Sequence, residues 1–470
     1  MHVRVRYAPS PTGAPHIGNI RTALYDFLYA RHHEGEFILR IEDSDQQRLV
    51  PGSDQIIIET LKLLHLNIDE GPFYQSHTLD RYLGVALDLI AHDSAYYCFC
   101  SSERLDLVRK EQESKGEPTR YDQTCKNIAR EEATERAKNE PHVIRFKVEP
   151  GITLRFNDLI HGEISFESST LDDFVIIKSD GFPTYHLASV VDDHHMNISH
   201  VIRGDEWISS TPKHLMLYTA LGYTPPLFAH LPIILGTDKT KLSKRHGATS
   251  AMEVVSQGYL PDAVLNFIAL LGWNPGTEKE IFTLDELIHA FSLERVHTSP
   301  AIFDTKKLEW VNAEHLKKLS DKEYIHLLQE FIQKNNKEVT IESWDALVPV
   351  LRERIQKWSD IFSDEWSFMF SPTPSYDASL LIPPGSDKDM TVRALDICKE
   401  QWSTLEEWTR ESLEKVLLTH AESLGKKELL WPVRVALSGQ KNSPPIWDMA
   451  LALGKKNTLH RIEAARSFLV

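Results

Sequence analysis

The feature that most restricts the fold is the spacing of patterns in the first sixty or so residues. Val3 to Ala8 alternate in polarity as a half-buried strand does. Pro9, Pro11, Gly13 and Pro15 then break the chain, and from Ile17 to about His33 apolar residues recur at helical intervals. A second strand pattern follows at Phe37 to Ile41, closed by Glu42-Asp43-Ser44-Asp45, and a second helix pattern runs from Ser53 to about Leu64. Strand, helix, strand and helix at this spacing imply a parallel sheet of the doubly wound kind.

With 470 residues the chain exceeds what one core organises, so several domains are expected. Between Tyr96 and Ser189 short strand-like runs such as Val143 to Val148 and Phe174 to Ile177 suggest an inserted subdomain. Parallel-sheet material returns at Val201 to Gly204 and Leu231 to Leu235, and from about Ala251 helical periodicity dominates. The division expected is a doubly wound, Rossmann-like domain at 1–95 and 190–250, an α+β insert at 96–189, a helical linker at 251–318, and an all-α domain at 319–470.

No run of about 18 apolar residues offers a membrane span, and the start, MHVRVRYAPSPTG, lacks a secretory signal's apolar core, so a cytoplasmic protein is expected. A formal net charge of -16 opposes a polyanionic partner. Against that stand local basic groups at Lys239 and Lys241, Lys244-Arg245-His246, Lys306-Lys307, Lys426-Lys427 and Lys455-Lys456, each of which also reads as ordinary solvated surface.

The loop from Ala8 to Asn19 joins a strand to a helix, as in sites that set backbone N–H groups and a helix N-terminus against phosphate. Gly18 would let a nucleotide lie close to the backbone. The loop is neither a Walker A motif nor GxGxxG. His16 alone is more often a structural hydrogen-bonder than a catalyst. Its weight rises because Lys241-Leu242-Ser243-Lys244-Arg245 follows an apolar strand far downstream, a cationic loop able to meet a pyrophosphate leaving group.

These two elements resemble the HIGH and KMSKS motifs of class I aminoacyl-tRNA synthetases, here His16-Ile17-Gly18-Asn19 and Lys241 to Arg245. Arg6 to Gly13, Arg40 to Asp43, Tyr185 to Ala188 and Asp192 to His194 further resemble the bacterial-type glutamyl-tRNA synthetases, along essentially the whole chain. The resemblance implies a Rossmann-like catalytic domain that activates L-glutamate with ATP and Mg²⁺ and esterifies it onto the 3′ end of tRNA-Glu, the first step needing bound tRNA. It leaves tRNA-Gln open as a second acceptor and suggests a monomer. His16, Gly18, Lys241 and Lys244 would be catalytic. Pro9, Ser10, Pro11, Thr12, Gly13, His16, Gly18, Asn19, Glu206, Leu235, Lys241, Leu242, Ser243, Lys244 and Arg245 would surround ATP. Arg6 with Tyr185 would take the side-chain carboxylate of glutamate, Arg203 the α-carboxylate, and Ser10 with Glu42 the ammonium, with Ala8 completing the pocket. Ser189 departs from the asparagine usual in that stretch. Glutaminyl relatives share the catalytic domain but carry a β-barrel anticodon domain, which the helical pattern after Ala251 disfavours.

Three of the four cysteines, Cys98, Cys100 and Cys125, crowd into the insert. The resemblance implies that a structural Zn²⁺ can be held there, as in some bacterial relatives. Asn127 stands where a histidine ligand is usual, and an alternative set of Cys98, Cys100, Tyr121 and Cys125 competes with an unmetallated remnant. Arg352, Arg354, Trp431 and Arg434 are candidates for anticodon contact. The reading as a whole demands that His16 and Lys244 converge on one triphosphate.

Overall fold

The computed structural model describes residues 2–242 and 250–470. The chain opens with β1 (Arg4–Tyr7), α1 (Ile17–His32), β2 (Glu36–Ile41), α2 (Ser53–Leu63), β3 (Glu70–Tyr74) and α3 (Leu79–Ala91). These strands pair in parallel in the order β1-β2-β3. Helical crossovers are the connection that parallel neighbours require. Every residue of β2 after Glu36 is buried, the signature of a strand covered on both faces.

The chain then leaves this sheet through β4 (Ala95–Cys98), α4 (Ser102–Ser114), α5 (Arg130–Ala137), β5 (Val143–Phe146), β6 (Thr153–Asp158), β7 (Gly162–Glu167) and β8 (Val175–Ile177). Two parts of this excursion pair differently. Strands β4, β5 and β8 form a separate antiparallel sheet, whereas the β6–β7 hairpin joins the parallel sheet.

The chain re-enters through α6 (Tyr185–His195), β9 (His200–Gly204), α7 (Thr211–Leu221) and β10 (Leu227–Leu231). Gly222 closes α7 in the left-handed conformation that suits a helix C-terminus. Strands β9 and β10 are parallel, and β6 joins β10 where Phe228 faces Asp158. The Ser199 N–H donates to the Arg4 carbonyl at 2.9 Å, setting β9 beside β1. The lateral order is therefore β3-β2-β1-β9-β10-β6-β7. It reverses direction between β1 and β9, and in open α/β sheets ligands bind at the carboxyl ends of strands at such a switch point.

Contacts divide the chain into two compact units, Met1–Val254 with Val264–Thr305, and Val255–Ala263 with Lys306–Val470. The second is built from helices, including Asp321–Lys334, Lys388–Ser403, Lys426–Ser438 and Ile446–Ser467, around a core that contains the fully buried Trp366 and Trp402. Ser320 and Glu323 close a capping box at the start of one helix, and Asp387 caps another. Among the described residues no helix is long and apolar enough to cross a membrane.

Candidate active site

At the carboxyl ends of β1, β2, β9 and β10 lies a cleft of about 280 Å³. Its wall includes Arg6, Ala8, Pro9, Ser10, Thr12, His16, Gly18, Asn19, Glu42, Tyr185, Arg203, Glu206, Lys241 and Leu242, all singled out in the sequence. Pro11, Gly13 and Leu235 do not line it. Ser243, Lys244 and Arg245 lie outside the described residues. Tyr7, within the Arg6 to Gly13 motif, also lines it, as do Arg21, Thr22, Trp207 and the segment Leu231 to Ile234, which carry no motif. Their only signal is position, at or just beyond the ends of strands or in the first turns of α1.

His16 is the N-cap residue of α1. Its Nδ1 accepts from the Asn19 N–H at 3.3 Å. A Cβ on Gly18 would sit 2.9 Å from His16 Cε1, so the space expected for a nucleotide at this glycine is taken first by the imidazole folding over the helix start. Desolvation in the cleft, then nearby Lys241, hold the His16 pKa below the usual histidine value, favouring the neutral ring.

Lys241 reaches this place through a tight reversal after the short strand Ile234–Leu235. The Gly236 N–H donates to the Thr240 carbonyl at 2.8 Å, and the Leu242 N–H to the Ile234 carbonyl at 3.0 Å. Ser250, where the described chain resumes, bridges to His16. Imidazole and ammonium from positions 16 and 241 thus meet in one cleft.

The deeper end is ionic. Arg6 Nε donates to Asp193 Oδ1 at 3.1 Å, and Arg40 Nη1 to the same oxygen at 2.8 Å. Arg40 Nη2 donates to Glu42 Oε1 at 3.2 Å. Burial raises the Glu42 pKa above its ordinary value, and the two guanidiniums oppose that rise. Two buried guanidiniums tie Asp193 down and hold its carboxyl below the usual range despite desolvation. Arg203 Nη1 donates to the Tyr185 hydroxyl at 2.9 Å. Ser189 Oγ reaches Asp193 Oδ2 at 3.4 Å.

Cys98, Cys100 and Cys125 converge in the antiparallel part of the insert, their sulfurs all within 4.8 Å of one another. The Tyr121 hydroxyl stands 3.3 Å from the Cys98 sulfur and 3.5 Å from that of Cys100, and the Cys100 and Cys125 sulfurs are 3.6 Å apart. A tetrahedron of thiolates about 2.3 Å from zinc has edges of about 3.8 Å. These four groups could therefore hold a metal. Hydrogen bonds from Tyr121 and Arg145 hold the Cys98 thiol below its usual range against burial, whereas burial and the neighbouring sulfurs push the Cys100 thiol up to about 11, although Arg104 Nη1 lies 3.4 Å from it.

In the helical unit the anticodon candidates are engaged internally. Arg352 bonds Asp321 at 2.8 Å, Arg354 pairs with Glu365, Trp431 Nε1 donates to the Leu380 carbonyl at 2.9 Å, and Arg434 donates to Ser443 at 3.1 Å.

Comparison with known proteins shows the family. Residues 2–310 match the family described as tRNA synthetases class I (E and Q), catalytic domain, and residues 310–466 match the anticodon binding domain family. The chain belongs to the class I tRNA synthetases of the E and Q type. It is 44% identical to the Glutamate–tRNA ligase of Dehalococcoides mccartyi (strain CBDB1), over 98% of this chain and 97% of that one. It is 43% identical to the Glutamate–tRNA ligase of Clostridium kluyveri, with the same coverage. A crystal structure of a glutamate tRNA ligase from Elizabethkingia meningosepticum in complex with its amino acid superposes with a TM-score of 0.89 at 36% identity, covering the whole of both chains.

Proposed function

We infer that the chain is a glutamate–tRNA ligase. It activates glutamate with ATP to glutamyl-adenylate and pyrophosphate, then transfers the glutamyl group to the 3′ end of tRNA. The observation that carries this reading is the charge pattern of the switch-point cleft: the guanidiniums of Arg6 and Arg203 and the carboxylate of Glu42 line it with His16 and Lys241, and Arg21 and Glu206 line it as well. Two anionic groups and one ammonium are what glutamate presents, and guanidinium forks suit carboxylates. Helices throughout the second unit support glutamate over glutamine chemistry within the family.

The amino acid's carboxylate is already a nucleophile, so the reaction needs positioning and electrostatic stabilisation rather than a general base. His16 would donate to the α-phosphate from Nε2, since its Nδ1 is occupied as the helix cap. Lys241 and Lys244 would meet the charge that develops on the leaving pyrophosphate. Magnesium arriving with ATP supplies further charge neutralisation, and the exposed carboxylate of Glu206 is available to it.

Cys98, Cys100, Cys125 and Tyr121 would hold one structural zinc. Metal analysis of the purified protein should return one zinc per chain, lost in Cys100→Ser. We take the acceptor to be tRNA-Glu and the enzyme to be a cytoplasmic monomer, and charging assays on purified tRNA-Glu and tRNA-Gln measure the breadth of the acceptor. The decisive test is ATP–pyrophosphate exchange with glutamate, glutamine or no amino acid, each with and without tRNA. Exchange is expected with glutamate and tRNA together. Exchange driven by glutamine would overturn the assignment.

A further inference from the structure

Arg6 is ion-paired with Asp193, but Arg203 touches no carboxylate among the described residues. Its five N–H groups meet neutral acceptors. Nε donates to His230 Nε2 at 3.1 Å. Nη1 reaches the Tyr185 hydroxyl at 2.9 Å and His214 Nδ1 at 3.3 Å, and Nη2 reaches Thr211 Oγ1 at 2.8 Å and the Trp207 carbonyl at 3.4 Å. Tyr185 and Trp207 line the cleft, whereas His230, His214 and Thr211 stand behind it. A carboxylate entering from the cleft would displace the front acceptors and leave the rear ones holding the guanidinium.

The rear hold depends on which nitrogen of His230 carries its proton. Nε2 accepts from Arg203 only if the proton sits on Nδ1, and Nδ1 lies 2.6 Å from Asp158 Oδ2, with both side chains wholly buried. The other oxygen of Asp158 accepts from the Ile160 and His161 N–H groups at 2.9 and 3.0 Å, so the carboxylate cannot swing away cheaply. A carboxylate that fixes an imidazole tautomer so that the opposite nitrogen can act is a recurrent arrangement. Without it, an Nε2–H would face the Arg203 Nε–H. Burial also keeps His230 and His214 below the usual histidine pKa, so both remain acceptors.

We propose that Asp158 and His230 are positioning residues for amino-acid recognition, orienting the Arg203 guanidinium toward the substrate's α-carboxylate without neutralising it. An aspartate bonded directly to Arg203 would compete with that carboxylate. One imidazole further away, it sets direction and leaves the charge available. Asp158 is delivered by the β6–β7 hairpin, so the inserted segment contributes to the amino-acid site. The proposal rests on the reading of Arg203 as the α-carboxylate ligand.

The test uses full-length protein with tRNA and measures the KM for glutamate and for ATP in pyrophosphate exchange. Arg203→Ala, Asp158→Asn, His230→Leu and His230→Gln are compared after thermal melting has established which of them fold. Arg203→Ala and His230→Leu should raise the glutamate KM about 10- to 100-fold, the range for a hydrogen bond to a charged group, with the ATP KM unchanged. Asp158→Asn should raise it by a smaller factor. His230→Gln, whose Oε1 can accept from Arg203 while its amide donates to Asp158, should recover most of the affinity. If Arg203→Ala raises the glutamate KM while Asp158→Asn and the His230 variants leave it alone, the relay is refuted. It is equally refuted if His230→Gln is as impaired as His230→Leu, or if the ATP KM rises in step. If Arg203→Ala itself leaves the glutamate KM unmoved, the assignment of Arg203 fails instead. Should His230→Leu not fold, Asp158→Asn and His230→Gln decide the question.

Discussion

At the scale of single residues, the candidate site depends on a few side chains whose protonation and direction are set by neighbours. His16→Ala and Lys244→Ala should each lower pyrophosphate exchange about 100- to 1,000-fold, the size of effect found when one preorganised transition-state donor is removed, with tRNA binding retained in a filter assay. Gly18→Ala should push the imidazole off the helix start, because its Cβ would lie within 3.0 Å of two ring atoms, and exchange should fall while the melting temperature holds. Two histidines outside the cleft make stability depend on pH. His186 and His200 are pulled to about 4, chiefly by burial, whereas in the unfolded chain they titrate near about 6.5. Between those values the unfolded chain binds more protons, so this contribution to stability is fully present above pH 6.5 and is lost as pH falls toward 4. The urea midpoint should therefore drop between pH 7 and pH 5, and His200→Gln should flatten that slope.

At the scale of elements, helices and loops are fastened by buried cations as well as by apolar packing. Arg461, fully buried on the helix Ile446–Ser467, donates to the carbonyls of Pro372, Leu437, Phe368 and Ser371 and meets no carboxylate among the described residues. Each of those carbonyls would lose a partner in Arg461→Met, a loss of about 1–3 kcal/mol per unsatisfied group, moderated by relaxation. Calorimetry should then show the second unit melting earlier with the first unit's transition unchanged. Most elements near the site were legible in the sequence: alternation and proline breaks located β1 and α1, and the second strand and helix fell within a residue of expectation. The β6–β7 hairpin was not legible as part of the catalytic sheet. Its alternation records that one face is covered, but no local pattern says which strand covers its edge.

At the scale of the whole molecule, a formal charge of -16 must coexist with a polyanionic partner. Binding then rests on local cationic surface and counterion release, which makes it strongly dependent on salt. Raising salt from about 50 to 200 mM should increase the KM for tRNA at least about tenfold, while the glutamate KM, set by the buried Arg6, Glu42 and Arg203, changes little. The motifs of the candidate site were readable because each is a contiguous run whose chemistry survives without its surroundings. Glu42, Arg203 and Tyr185 were named only through resemblance to a family, since a lone arginine or tyrosine carries no local mark of a pocket.

The sequence by itself determined the alternation of strands and helices, the loop before α1, the cationic segment after the last parallel strand and the helical character of the second half, because each depends on neighbours in the chain. Only the tertiary structure decided that Tyr185 bonds Arg203, that Gly18 makes room for an imidazole, and that Asp158 stands behind His230. Those relations join residues distant in sequence, and their energies come from burial and direction, which exist only once the sheet has closed around them.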